Sequence, residues 1–223
     1  KLISKGYVVT VFDNLEPQVH PYGLPEYYNL KARFIRGDVR KKRNLKEVVL
    51  DTDAIIHLAA AVGVGQSQYQ VAKYVETNIQ GTANLLDILV NEKHHVKKVV
   101  VASSMSIYGE GLYKCGRCGN IKPPLRDIDS NSSHPIEKEK CKAEYWEPKC
   151  PVCKDVLTPI PTPEETPLVG NSIYAVSKKE QEEMVLLIGK TYGIPSVALR
   201  FFNVYGPRQS LSNPYTGVSA IFL

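Results

Sequence analysis

Two residues set the chemistry that this chain could perform. Tyr174 and Lys178 stand four apart in YAVSK, so on a helix their side chains share one face and can meet in one cleft. A phenol titrates near pH ~10 and is a poor base. An ammonium beside it favours the phenolate, which would let Tyr174 take a proton from a hydroxyl near neutrality. Ser103 and Ser104 close an apolar run that begins at Val96, and a hydroxyl there could share the relayed proton. Taken singly, these features are equally a surface helix pair and a turn with capping serines.

A second group of residues has metal-ligand spacing. Cys115 and Cys118, and again Cys150 and Cys153, form Cys-x-x-Cys pairs. Each pair can present two thiolates to one ion, and four sulfurs complete a tetrahedral zinc site with no position open for water, so the expected role is structural. Cysteine used in this way suits a reducing, cytoplasmic compartment better than a disulfide framework. Cys141 is left over, and His134, His94 and His95 gain no role from their spacing.

The elements that must position these groups alternate. Tyr7 to Asp13, Ala32 to Arg36, Asp53 to Leu58 and Val96 to Ser103 are short, β-branched runs that suit buried strands. Helical periods lie between them at 44 to 50 and 71 to 91, and a further helix over 173 to 192 precedes a strand at 196 to 201. With no hairpin signals between the strands, the alternation predicts an α/β fold with a doubly wound parallel sheet of Rossmann type. From 110 to 166 the pattern breaks into Pro, Lys, Glu and Cys, which reads as an insertion.

Charge and length exclude several classes. The net charge of +5 comes from 28 basic and 23 acidic residues, and in the insertion the two signs interleave, whereas a face that tracks nucleic-acid phosphates concentrates one sign. A zinc-ribbon module for nucleic acid or another partner is therefore the lesser reading. No apolar run approaches the ~20 residues needed to cross a bilayer. The chain starts at Lys1 without a methionine and stops within an apolar run at Leu223, so segments are expected to precede and follow it.

Asp13 ends its strand where dinucleotide folds place the carboxylate that accepts from the adenosine ribose. No cation follows at Asn14 or Leu15 to offset a 2'-phosphate, which favours NAD over NADP. Together with FDN at 12 to 14, GDV at 37 to 39, HLAA at 57 to 60, NIQGT at 78 to 82, SSMSIYG at 103 to 109 and RFFNVYGPRQ at 200 to 209, these residues resemble the extended short-chain dehydrogenase/reductases. Within that group the likeness is to the NAD-dependent nucleotide-sugar epimerases and dehydratases.

The resemblance implies a catalytic group of Ser104, Tyr174 and Lys178, acting by proton abstraction at a sugar hydroxyl and hydride transfer to NAD. It implies that Asp38 and Val39 flank the adenine, that Leu58, Ala59 and Ala60 line the dinucleotide, and that Asp13, Asn14, Asn78 and Ser103 lie beside it with Tyr174 and Lys178. Val62, Ser104, Ser106 and Asn203 would face the substrate. Dehydratases of the family carry an Asp-Glu pair after the catalytic hydroxyl, where this chain has Met105 and Ser106. Epimerisation, simple oxidation or reduction, and decarboxylation remain. VGVGQS at 62 to 67 and QSLSNPYTG at 209 to 217 are similar to members that epimerise dTDP-L-rhamnose at C4, which also carry a cysteine-containing insertion.

The implied organisation is an NAD-binding domain over 1–109 and 167–205, a zinc-knuckle insertion over 110–166, and the start of a substrate lobe over 206–223. The first strand and its glycine-rich turn would precede Lys1. A homodimer would form through helices at 71 to 91 and 173 to 192. A dinucleotide sensor without turnover is the remaining rival, and the complete Ser104, Tyr174, Lys178 set speaks against it.

Overall fold

The structure, a computed structural model, describes residues 1–124 and 148–210. In chain order the elements are β1 (Thr10–Asp13), β2 (Arg33–Arg36), α1 (Lys42–Leu50), β3 (Ala54–His57), α2 (Val64–Ser67), α3 (Val71–Tyr74), a π-helical stretch (Val75–Gln80), α4 (Gly81–Asn91) and β4 (Lys98–Ser104). Then follow β5 (Leu112–Cys115), β6 (Gly119–Ile121), β7 (Thr158–Ile160), α5 (Ile173–Thr191) and β8 (Ser196–Phe201). The chain divides into a unit of Lys1–Met105 with Ser172–Leu223 and a unit of Ser106–Asn171. The division falls at Met105 and Asn171, a few residues from the limits of the compositional break. Cys141 and His134 lie outside the described residues. Among the described residues no helix is long and apolar enough to cross a membrane.

In the larger unit every strand pairing is parallel. β1 pairs with β2, and a separate sheet runs in the order β3-β4-β8. Register decides which side chains turn inward, because a slip of one residue would reverse every face. His57 lies beside Val101 and Val101 beside Ala198, and Val99 and Val101 are buried where helices cover the sheet. Leu45 and Val49 of α1, Leu85, Leu86, Ile88 and Leu89 of α4, and Val185 of α5 close one core over that face.

The parallel pairing is that of a Rossmann-like sheet, and its opposite face is open among the described residues. Ile56, Val197, Leu199 and Phe201 of the β3-β4-β8 sheet are between 39% and 52% exposed, because the described helices cover one side only. The expected helix over 71 to 91 is also interrupted. Its middle widens into the π-helical stretch, a form that occurs as single-turn bulges and often at functional sites. There Asn78 is fully buried.

The smaller unit is a three-stranded antiparallel sheet, β6-β5-β7. Its core is slight: Tyr113, Cys115, Cys150 and Leu157, with Ile121 and Cys153 against them.

The aliphatic core makes a test possible. Ile88 of α4 is completely buried in the core that α4 shares with α1, α5 and the sheet, so Ile88→Ala should cost about 2–5 kcal/mol of stability through lost burial and a residual cavity. Urea or thermal unfolding should show it, and a loss below about 1 kcal/mol would contradict this account of the core.

Candidate active site and cysteine cluster

Helix α5 places the candidate catalytic pair. Ser172 is its N-cap: the backbone is extended and Oγ accepts from the Ala175 N–H at 3.1 Å, satisfying a donor that a helix start leaves orphaned. Tyr174 and Lys178 follow one turn apart and are 9% and 3% exposed. The Tyr74 ring meets the Tyr174 ring edge-on, centroids 6.3 Å apart. Ser104, at the end of β4, hydrogen-bonds to the Tyr174 phenol.

The electrostatics differ from the sequence expectation at one point. Burial pushes the Tyr174 phenol above its ordinary value, and the hydrogen bond from Ser104 pulls it back. Lys178 turns elsewhere. Its ammonium donates to Gln181 Oε1, and burial lowers its pKa to about 8 against the opposing charge of Glu182. The charge of Lys178 is instead felt by His57, which burial first and then Lys178 push down to about 4, so the imidazole is neutral at physiological pH.

Behind the pair lies a buried polar chain that the sequence reading did not contain. Gln181 Nε2 lies 2.8 Å from Thr82 Oγ1 and 3.0 Å from His57 Nε2. Thr82 Oγ1 donates to the Asn78 carbonyl at 2.6 Å. Glu182 accepts a fork from Arg200 of β8, 2.7 Å at the shortest. Gln181 sits three residues after Lys178, a spacing visible in the sequence, but its partner His57 is 124 residues away and no local pattern joins them.

The residues expected around a dinucleotide gather at strand ends. Asp13 ends β1, with Oδ1 accepting from the Leu15 N–H at 2.7 Å. Asn14 Nδ2 reaches Asp38 Oδ2 at 3.4 Å. The Arg40 guanidinium, hydrogen-bonded to both Asp38 oxygens, holds that carboxyl near 2 despite partial burial. Val39 is buried, and its carbonyl accepts from Asn84. Leu58, Ala59 and Ala60 follow β3, and Leu58 is exposed.

Asn78 has a different task from its neighbours. Its amide spans the Ala61 N–H at 2.7 Å and the Ala61 carbonyl at 3.1 Å, and it donates to Ser177 Oγ at 2.9 Å. It thereby pins the loop after β3. Arg36 and Lys41 line a hollow of about 230 Å³ with Asn14, Asp38 and Asn44, bringing cations to this end of the site that inspection of positions 14 and 15 alone does not find.

Ser103 Oγ is buried with no hydrogen-bond partner among the described residues. Buried hydroxyls are rarely left so, and the orphan fits a site whose ligand completes it. With Asp13, a ribose acceptor by type, and the open loop after β3, the donors present suit a dinucleotide. Val62 and Asn203 are exposed, and Ser106 belongs to the smaller unit.

In the smaller unit the four sulfurs of Cys115, Cys118, Cys150 and Cys153 lie within 4.8 Å of one another. The Cys115 and Cys153 sulfurs are 3.4 Å apart, far longer than a disulfide bond of ~2.05 Å. A tetrahedral ion with bonds of ~2.3 Å needs sulfurs spaced near this scale. N–H groups of Cys153 and Val152 point at Cys150 and lower its thiol to about 7, while contact with the Cys153 thiol pushes Cys118 up to about 12. Gly119 and Lys154, after each pair, adopt left-handed φ of 80° and 65°, which a glycine takes freely. Arg117 joins the two turns by a fork to Asp155 at 2.7 and 2.6 Å.

The chain is similar to several known proteins. The dTDP-L-rhamnose 4-epimerase of Burkholderia thailandensis is 30% identical over all of this chain, which spans 58% of that protein. The UDP-N-acetyl-alpha-D-glucosaminuronate decarboxylase of Bacillus cytotoxicus is 28% identical, with the chain spanning 54% of it. The UDP-glucose 4-epimerase of Thermotoga maritima, solved with UDP-glucose, superposes with a TM-score of 0.70 at 27% identity over 99% of this chain and 55% of its own. The chain thus spans little more than half the length of these relatives. Residues 156–221 match the GDP-mannose 4,6 dehydratase pattern. Residues 1–131 match that of the NAD dependent epimerase/dehydratase family, and with parallel strands, a Ser104–Tyr174 contact and a buried Lys178 the chain belongs to that family.

Proposed function

We propose that this protein inverts C4 of a nucleotide-diphosphate sugar through a 4-keto intermediate, with dTDP-L-rhamnose the first substrate to test. The observation that carries the reading is the meeting of Ser104 and Tyr174 at the carboxyl end of β4, with Lys178 buried one turn away. Open α/β sheets bind ligands outside that edge. NAD, when bound, supplies a hydride acceptor that can also return the hydride.

Tyr174 takes the proton of the sugar 4-hydroxyl and later gives it back, and Ser104 holds the phenol oxygen in line by its hydrogen bond. Burial works against a phenolate at Tyr174, so the step depends on the cationic charge of Lys178. Asp13 accepts from ribose hydroxyls, and Ser103 Oγ finds its partner on the bound ligand. The 4-keto sugar turns over between the two transfers, so no net oxidation results. Met105 and Ser106 provide neither a carboxylic acid nor a carboxylate to eliminate water across C5 and C6, which favours inversion over dehydration.

The four-cysteine cluster is, in this reading, a structural zinc site. A thiolate already favoured at Cys150 and four converging sulfurs match zinc's preference. The metal would supplement the slight core of the unit's described residues. A homodimer in which the helical segments 71–91 and 173–192 meet their counterparts suits the exposed Val71, Val75, Val176 and Leu187.

The reading has two direct tests on the full-length protein. Tyr174→Phe should lower C4 inversion of dTDP-L-rhamnose or a UDP-hexose, followed by NMR, by roughly 10²- to 10⁴-fold, and undiminished inversion would refute the assignment. Carbon dioxide release from a UDP-uronic acid, without C4 inversion of any substrate, would make the protein a decarboxylase instead. Elemental analysis under reducing conditions should find one zinc per chain, and chelation should open residues 106–171 to protease. A metal-free protein with all four thiols reactive would rule the zinc site out.

A further inference from the structure

The polar chain behind Lys178 has a direction built into it. Lys178 Nζ carries only donors, so the amide atom of Gln181 that faces it must be the oxygen. That choice turns Nε2 toward Thr82 Oγ1 and His57 Nε2. The Thr82 hydrogen goes to the Asn78 carbonyl, which leaves Oγ1 able to accept from the amide. With its proton on Nδ1, a neutral His57 accepts there too. Thr82 and Gln181 are fully buried and His57 is 5% exposed, so water is not available as a substitute partner.

We propose that Gln181 is a positioning residue for the reaction: its amide, oriented by Thr82 and His57, anchors the Lys178 ammonium with a neutral acceptor and so leaves its positive charge in force. The inference rests on the proposed role of Lys178 in that reaction. A carboxylate at position 181 would hold the ammonium equally well but cancel the field that a phenolate at Tyr174 needs. Among the described residues the carboxylate felt by Lys178 is Glu182, which is neutralised by the Arg200 fork from β8. Among the described residues, the charged and titratable groups that interact with Lys178 are therefore Glu182 of its own helix, His57 of β3, and Arg200 of β8 through Glu182. An aliphatic side chain at 181 would leave a buried cation without its acceptor, which disfavours the charged form.

The test compares two substitutions of opposite electrostatic effect in the full-length protein. Lysine side chains labelled with ¹³C are titrated by NMR, and the Lys178 signal is identified by its loss in Lys178→Met. Gln181→Met should lower the Lys178 midpoint by roughly one unit, and Gln181→Glu should raise it by roughly one unit or more. A residue that mattered only for packing would not move it in opposite directions. Should Gln181→Met not fold, the nearly isosteric Gln181→Glu decides alone. A midpoint that stays put in Gln181→Glu, or that moves the same way in both variants, overturns the proposal.

The titration needs no substrate, so it judges the Gln181 anchor even if the protein proves not to be an epimerase. In the active protein the alkaline limb of the inversion rate should follow the Lys178 midpoint in each variant. A limb that stays while the midpoint moves overturns the positioning role.

Discussion

A protonated amine buried to 3% exposure and a phenol buried to 9%, one turn apart on α5, are costly to bury, and much of the larger unit is organised around them. Desolvation disfavours the charged form of each group: it draws the Lys178 ammonium down and the Tyr174 phenol up. The fold answers with polar contacts drawn from distant parts of the chain. Ser104 comes from β4, Gln181 from the next turn of α5, Thr82 from α4 and His57 from β3. None of these contacts forms unless the strands are in register and both helices lie on the same face.

That face is chosen by a period of two. His57 and Val101 are neighbours in the parallel sheet, so the histidine reaches α4 and α5 only because the valine beside it enters the aliphatic core. The helices are fixed in turn by Ile88 and Val185 in that core, and one set of hydrophobic contacts therefore places both stability and chemistry. The π-helical stretch adds a local adjustment. It puts Asn78 where its amide can hold Ala61, securing the loop that leaves β3 at the cofactor side.

The smaller unit uses a different economy. Among the described residues its strands are three or four residues long, and the buried cluster around the cysteines holds only Tyr113 and Leu157 beside Cys115 and Cys150. Two tight turns bring four sulfurs together, and the Arg117–Asp155 fork ties one turn to the other. A large aliphatic core fills one unit, while in the other four sulfurs converge.

Local pattern alone determined a good deal about this protein. The α/β alternation, the β1 and β4 ends carrying Asp13 and Ser104, the Tyr174–Lys178 spacing and the two Cys-x-x-Cys turns are each set by short-range geometry, so they could be read residue by residue. The short strands β5 to β7 could not, because three or four residues are too few to show an apolar period and their antiparallel partners lie elsewhere in the chain. The open face of the β3-β4-β8 sheet, the Gln181–His57–Thr82 chain and the Glu182–Arg200 pair were decided only by tertiary structure. Each depends on which residues far apart in the chain share a buried volume, and there the cost of an unpaired polar group, rather than any periodicity, selects the partner.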